Sequence, residues 1–412
     1  MKKSPLFIIL TVAFVDLVSY GLIIPLQASY ADRMGANGLT FGLLVGTYSL
    51  MQLIFNPLLG RWSDRVGRRK VLLLSVFGSI FSHLLLGVAD LASSLPLLFL
   101  ARTLDGITGA NISTAQAYIA DVTTKENRAK GMGMFGAAFG LGFVMGPAIG
   151  AGLVFLGGVI SGPAYGTAWP AFGAAVISAI AFVIVWKHLP ESNPSAADSA
   201  VQRRMPHLKT MASLFNQPRL RELFTLTFCV TFSFVLLEIT FVFLCTHSLG
   251  VREAGAGLIF AYIGILMVIV QGGLVGRLSK RFGEASLIAF APFVTAIGFV
   301  IISFVSEVDS QSWAWAALFI GCVPVAFGNG LTTPNVNALV SKEARQDQQG
   351  MVLGTNQALG SLARALGPLA GGALYDVRAA LPYWVGAGLF CMVGIYAVKI
   401  RPRHILNANT QK

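Results

Sequence analysis

Long apolar runs, broken at short intervals by glycine, proline and charge, dominate the chain. A helix needs roughly 20 apolar residues to cross a bilayer. Twelve runs meet that length: 5–29, 38–60, 71–90, 95–121, 131–158, 167–186, 221–247, 255–277, 286–305, 312–339, 350–375 and 381–399. They predict an all-α integral membrane protein with twelve spans. The one long polar connection, 187–220, carries Pro190, Pro194, Pro206 and Pro218 and no apolar period. It reads as a cytoplasmic linker between two six-helix bundles, 1–186 and 221–400, with 401–412 as a cytoplasmic tail.

Charge fixes the predicted orientation. Of the 30 Lys and Arg residues, 25 fall at the termini and in the loops after even-numbered spans. Only Arg33, Arg252 and Arg378 fall in the other loops, and Arg102 and Arg364 lie within spans. Basic residues stay on the cytoplasmic side, so both termini are expected there. This bias accounts for the net charge of +12 without nucleic acid. Trp169, Trp313, Trp315 and Trp384 mark the outer ends of spans, and Trp62 and Trp186 the inner ends.

Composition closes off other classes. Apolar residues make up 55% and charged residues 12% of the chain, about half the charge of soluble domains. The four cysteines lie in apolar runs and no loop carries a CxxC or a Cys/His pair, so a zinc site or a disulfide framework has no support. No clustered catalytic set of the HExxH type occurs, so an intramembrane enzyme is not expected. Lys2 and Lys3 before an apolar run imitate a signal peptide, but Asp16 and apolar sequence up to Leu26 favour an uncleaved first span.

Two internal repeats divide the chain in half. Gly60-Arg61-Trp62-Ser63-Asp64-Arg65-Val66-Gly67-Arg68-Arg69-Lys70 is expected as a tight cytoplasmic turn between the second and third spans. A degraded copy, Gly276-Arg277-Leu278-Ser279-Lys280-Arg281-Phe282-Gly283, follows 216 residues later. Gly109 to Gly131 aligns without gaps on Gly328 to Gly350, and Gly146-Pro147-Ala148-Ile149-Gly150 answers Gly367-Pro368-Leu369-Ala370-Gly371. Six-span repeats in one orientation are parallel repeats.

With these motifs in place, the whole chain resembles the major facilitator superfamily, and within it the twelve-helix drug:proton antiporters of the tetracycline-efflux type. Gly60 to Lys70 resembles the family's loop motif. Asp16 with Gly21 and Pro25 resembles its first-helix motif, Arg102-x-x-Asp105-Gly106 its fourth-helix motif, and Gly142-x-x-x-Gly146-Pro147-x-x-Gly150 its antiporter motif, ending Gly-Ala rather than Gly-Gly. Leu189-Pro190-Glu191-Ser192 after the sixth span discriminates little between subfamilies. The resemblance implies a multi-pass protein of the bacterial inner membrane that exports an amphipathic compound in exchange for protons by alternating access. It implies no cofactor and no catalytic residues, with the proton gradient as energy source. A proton-coupled symporter or a lipid or metabolite facilitator of the same fold is the alternative.

Ionisable residues at membrane depth demand a reason. Asp16, Arg102, Asp105, Glu238 and Arg364 are the candidates for proton coupling and substrate binding. Arg102 and Asp105 share one helix face and can pair. Arg364 suits an anionic substrate group or serves as counter-ion to Glu238 or Asp16. The five carry a net charge of −1 when ionised, which favours a cationic or zwitterionic small-molecule partner, alongside protons and the lipid bilayer. A monomer is expected. His83 reads first as a satisfied core residue, with a part in a proton path as the sharper reading. Gln52, Asn56, Asn111, Gln116, Gln271, Asn335, Asn337, Asn356 and Gln357 are further hydrogen-bonding groups. At the cytoplasmic face, Asp64 is expected to latch onto the helix start near Gly350, and Arg65 or Arg68 to pair with Asp121; Gly60, Gly67 and Arg69 belong to the same gate. Gly142, Gly146 and Gly150 are expected to let backbones approach closely, and Pro147 to bend its span.

Overall fold

A computed structural model describes residues 5–124, 128–162, 165–192, 213–251, 253–344 and 349–410. Its helices are α1 (Pro5–Arg33), α2 (Gly38–Val66), α3 (Arg68–Leu91), α4 (Leu95–Thr108), α5 (Ile112–Val122), α6 (Arg128–Ser161), α7 (Trp169–His188), α8 (Pro218–Leu249), α9 (Glu253–Ile269), α10 (Val275–Phe282), α11 (Glu284–Ser303), α12 (Gln311–Glu343), α13 (Gln349–Val377) and α14 (Leu381–Thr410). No strand occurs among the described residues. Eight stretches of described helix are long and apolar enough to cross a membrane. Taking α4 with α5 and α9 with α10 gives twelve helical rods at the twelve predicted places. Most of the linker, 193–212, lies outside the described residues, as do the side chains of 401–410.

The chain divides into two compact units, Met1–Gln202 with Val251–Gly264, and Arg203–Gly250 with Ile265–Lys412. In the first, α1 packs on α6 and α7, and α3 on α4 and α7. In the second, α8 packs on α13 and α14, and α11 on α12 and α14. These are the same pairings moved six spans along, so the sequence repeat is also a packing repeat. Large apolar side chains such as Phe155, Ile160, Trp313 and Val377 point outward. In a membrane protein those positions face lipid rather than water.

Three expectations change. The charged run from Gly60 is not a loop: α2 continues to Val66, Gly67 alone makes the break, and α3 starts at Arg68. Helix is retained because Arg68 and Ser63 bond to the last turn of α2, at the Gly60 carbonyl and each other. Gly67 has φ +104, a conformation open to glycine. The second copy breaks the same way, at Gly283 with φ +76. The predicted fourth span is interrupted at 109–111, where Gly109 closes α4 by donating to the Asp105 carbonyl at 2.7 Å. Its own carbonyl accepts from Gln52 Nε2 at 3.1 Å, a side chain supplying what the helix ladder gave up. The predicted eighth span runs on through a π-turn, Val270–Leu274, before α10.

Gly67→Ala should cost about 1–3 kcal/mol, since it adds backbone strain and a Cβ that collides with the Glu191 carboxylate. Gly283→Ala meets nothing within 4 Å and should carry the strain alone. Thermal unfolding of the two variants side by side reads this difference, with Gly67→Ala melting lower.

Candidate functional site

Arg102 is the largest fully buried side chain of the first unit, 1% exposed. Leaving a guanidinium in oil costs at least ~3 kcal/mol, so its neighbours define the site. Its Nη1 donates to Asp105 Oδ2 at 2.7 Å, one turn along α4. Its Cζ lies 4.5 Å from the centre of the Tyr48 ring on α2, a cation–π contact. Nε and Nη2 have no hydrogen-bond partner. The pair is therefore held by one charged hydrogen bond and one aromatic face, not by a bidentate clamp.

The other Asp105 oxygen is shared. Ser82 Oγ donates to Oδ1 at 3.2 Å, and His83 Nε2 stands 3.6 Å from it. Both come from α3, packed along α4. Asp16, on α1, lies within electrostatic reach of Asp105 and beside the Asn111 side chain. Asn111 sits at the α4–α5 break, so the interruption places a donor against the acid. Asp16 and Asn111 also line a small cavity of about 30 Å³, otherwise walled by apolar groups such as Ile9, Leu72 and Phe135. That is room for about one water. Tyr48 stacks on Tyr20 at 5.1 Å, and its hydroxyl accepts from Gln52 at 2.9 Å. Tyr20 is one turn from Asp16, on the same face of α1.

The antiporter-motif glycines set where this face of α1 stands. A Cβ at Gly142 would meet Leu17 Cβ at 2.6 Å, one at Gly146 the Gly21 backbone at 2.6 Å, and one at Gly150 the Leu22 carbonyl oxygen at 2.8 Å. Pro147 packs against Gly21. So α6 lies backbone to backbone on the helix that carries Asp16. In the second unit a Cβ at Gly367 would meet the Val235 side chain on α8 at 2.6 Å, and one at Gly371 the Leu236 backbone at 3.4 Å. There Glu238 on α8 lies within electrostatic reach of Arg364 on α13, and Arg364 Nη2 reaches Ser361 Oγ at 3.5 Å. Thr227, Asn356 and Asn337 form a hydrogen-bonded row across α8, α13 and α12.

At the end of the first unit where α2 meets α3, expected on the cytoplasmic side, Arg68 rather than Arg65 is the central cation. It pairs with Asp64 at 2.5 Å and Asp121 at 3.3 Å, while Arg65 is exposed. The expected contact of Asp64 near Gly350 involves side chains outside those described. Glu191 was passed over in the sequence, yet its carboxylate caps α3, accepting from the backbone amides of Arg68 at 2.8 Å and Arg69 at 3.2 Å. Ser192 Oγ bonds Asp121 at 3.0 Å, and Arg69 Nη2 donates to the Trp186 carbonyl. A signal was present: α3 opens with Arg68, Arg69 and Lys70, three cations against the positive end of a helix dipole, and no acid of its own. An anion had to come from elsewhere.

Two parallel six-helix repeats with charges buried at membrane depth fit the architecture of a membrane transporter. A family model described as Major Facilitator Superfamily matches residues 8–368, and the chain belongs to that family. It is 32% identical to Multidrug resistance protein 2 of Bacillus subtilis (strain 168) over 96% of this chain and 94% of that one. It is 30% identical to the class B tetracycline resistance protein of Escherichia coli, over 94% and 93% of the two chains. Among solved structures, the human organic anion transporter MFSD10 (TETRAN) superposes with a TM-score of 0.67 at 26% identity, over 96% of this chain and 99% of that one.

Glu191→Ala should remove the α3 cap and lower stability by about 1–2 kcal/mol. Asp121→Asn, which keeps an acceptor for Arg68 and Ser192, should lose less. Denaturant or thermal midpoints of the detergent-purified variants measure both.

Proposed function

We propose that the protein exports an amphipathic organic compound from the cytoplasm of a bacterial cell across the inner membrane, in exchange for protons. The observation that carries this reading is the charge balance of the first-unit cluster. Asp16, Arg102 and Asp105 sum to −1 when ionised, and Asp16 and Asp105 are close enough to repel. One proton or one cationic group neutralises the set equally well. Two guests competing for one unit of charge is the arrangement obligatory exchange needs. Tyr20 and Tyr48 beside Asp16 offer aromatic faces to a planar or cationic guest. In the second unit, Glu238 and Arg364 compensate one another and add polarity without net charge. The resistance named in the bacterial relatives supports a drug-like substrate.

The cytoplasmic cluster at Asp64, Arg68, Asp121 and Glu191 serves as the gate on this reading, because charge pairs between helix ends break and re-form when bundles tilt. Asp16 and Asp105 carry the proton, Arg102 sets the charge of Asp105, and Glu238 with Arg364 orients substrate.

The test is counterflow in proteoliposomes under an imposed pH gradient, with ethidium as cation, tetracycline, and a fluorescent organic anion. Ethidium or tetracycline should accumulate against its gradient only with an opposing proton gradient. Asp16→Asn should reduce gradient-driven accumulation by about tenfold or more, and Glu238→Gln should weaken drug affinity more than coupling. Accumulation driven by protons moving with the drug would establish symport instead, and flux indifferent to the gradient would end the reading.

A further inference from the structure

His83 is buried in α3, 3% exposed, where a core imidazole needs no more than one or two hydrogen bonds. It has one such bond on one side. Nδ1 stands 3.1 Å from Ser178 Oγ on α7, with the Ala174 backbone nearby. The other side has a different character. Nε2 is aimed at Asp105 Oδ1 across 3.6 Å, a gap that a small ring rotation closes. Positioned acid–base pairs are often this loose at rest. Ser82 already donates to that oxygen, so the carboxylate does not need His83 for satisfaction. Arg102 takes the opposite oxygen through a single bond.

We propose that His83 is a second seat for the coupled proton, so that the cluster's proton passes between the Asp105 carboxyl and His83 Nε2. The inference rests on the antiport reading above and extends it to a residue outside the charged set. In the step, the Asp105 Oδ1–H bond breaks and an Nε2–H bond forms. The carboxylic acid becomes a carboxylate and the imidazole an imidazolium, and nothing is oxidised or reduced. Ser178 Oγ accepts from Nδ1–H in both states, and that bond selects the neutral tautomer whose Nε2 is bare and able to take the proton. With the proton on Asp105, Arg102 loses the charge it was paired with and is left to Tyr48. With the proton on His83, the Arg102–Asp105 pair is restored, and the net charge of the three residues stays at +1 because the proton has only moved between them. Asp16, acting through Asp105, is the anion that balances it.

The groups around the ring are few. Asp105 and Arg102 on α4 are the charges that act on it. From α7 come only Ser178 and the Ala174 backbone. Among the other helices packed on α3, α2 brings Tyr48, laid on Arg102, and α5 brings Asn111, beside Asp16. Histidine's ordinary titration range is the one an inward proton gradient spans.

The experiment follows ethidium exchange in proteoliposomes from pH 5.5 to 8, together with proton release when ethidium binds the detergent-purified full chain in weakly buffered solution. The variants are His83→Asn and Ser178→Ala. His83→Asn should erase the acidic limb of the pH profile and cut proton release per drug by about half or more, with ethidium affinity at pH 7.5 held within about twofold. Ser178→Ala, which alters only the far side of the ring, should move the limb without erasing it. A His83→Asn profile that superposes on wild type overturns the proposal, as does an unmoved profile in Ser178→Ala if His83→Asn does not fold. Wild-type exchange that ignores the pH gradient is a separate outcome, since it removes the antiport reading itself.

Discussion

A guanidinium keeps its proton at any pH a cell meets, so Arg102, once buried, must be compensated by other groups. The first unit is built around that demand. Asp105 answers it from one turn away on α4, and Tyr48 answers it with a ring face from α2. Tyr48 is itself held, stacked on Tyr20 and bonded to Gln52. Gln52 can reach Tyr48 because it is anchored to the Gly109 carbonyl, and that carbonyl is available because the helix breaks there. The same break delivers Asn111 to Asp16. Removing one partner of such a buried pair typically costs about 3–5 kcal/mol. The partners and their supports are accordingly drawn from α1 and α2 as well as α4.

The two halves meet a second demand in different ways. Each has a glycine at positive φ followed by a helix start, at Gly67 and Gly283. A helix start favours negative charge. In the second half the helix supplies it, with Glu284 as first residue, paired with Lys342 on α12 at 2.5 Å. In the first half the equivalent position is Arg68, which pairs with Asp64 on α2 and Asp121 on α5. The charge at the helix start is thus reversed in sign between the halves. The reversal leaves α3 with cations where an anion belongs, and Glu191 from beyond α7 fills the need. One repeat closes its hinge locally, and the other ties it to the segment that leads into the linker.

What could be read from the sequence was what depends on neighbours along the chain. Apolar runs of span length, the uneven split of lysine and arginine, and repeats in register are local or additive signals, and the twelve rods lie where they put them. Arg102 and Asp105 were legible as a pair because i and i+3 share a helix face. The remainder depended on contacts far apart in sequence. Gln52 meets Gly109 across 57 residues and Glu191 meets Arg68 across 123, and neither residue stands out by type or spacing. The charged run at Gly60 misled because charge density resembles a loop, whereas Arg68 turned back onto Ser63 and Gly60 and kept the backbone helical. Arg65 and Arg68 were equivalent by composition, and only the packing of α3 told the buried cation from the exposed one.

Close packing and charge act together in the first unit. The glycines of α6 bring its backbone against α1 at Leu17, Gly21 and Leu22, the turns that follow Asp16. A helix seated this closely has little freedom to slide, so the position of Asp16, one end of its separation from Asp105, is held by backbone contact with α6. That position matters because repulsion between two acids falls with distance and with any water that enters. Asp16 borders a cavity with room for about one water, so little solvent is at hand to weaken that repulsion. A positive charge taken up beside the two acids relieves it, which is the property that the proposed exchange draws on.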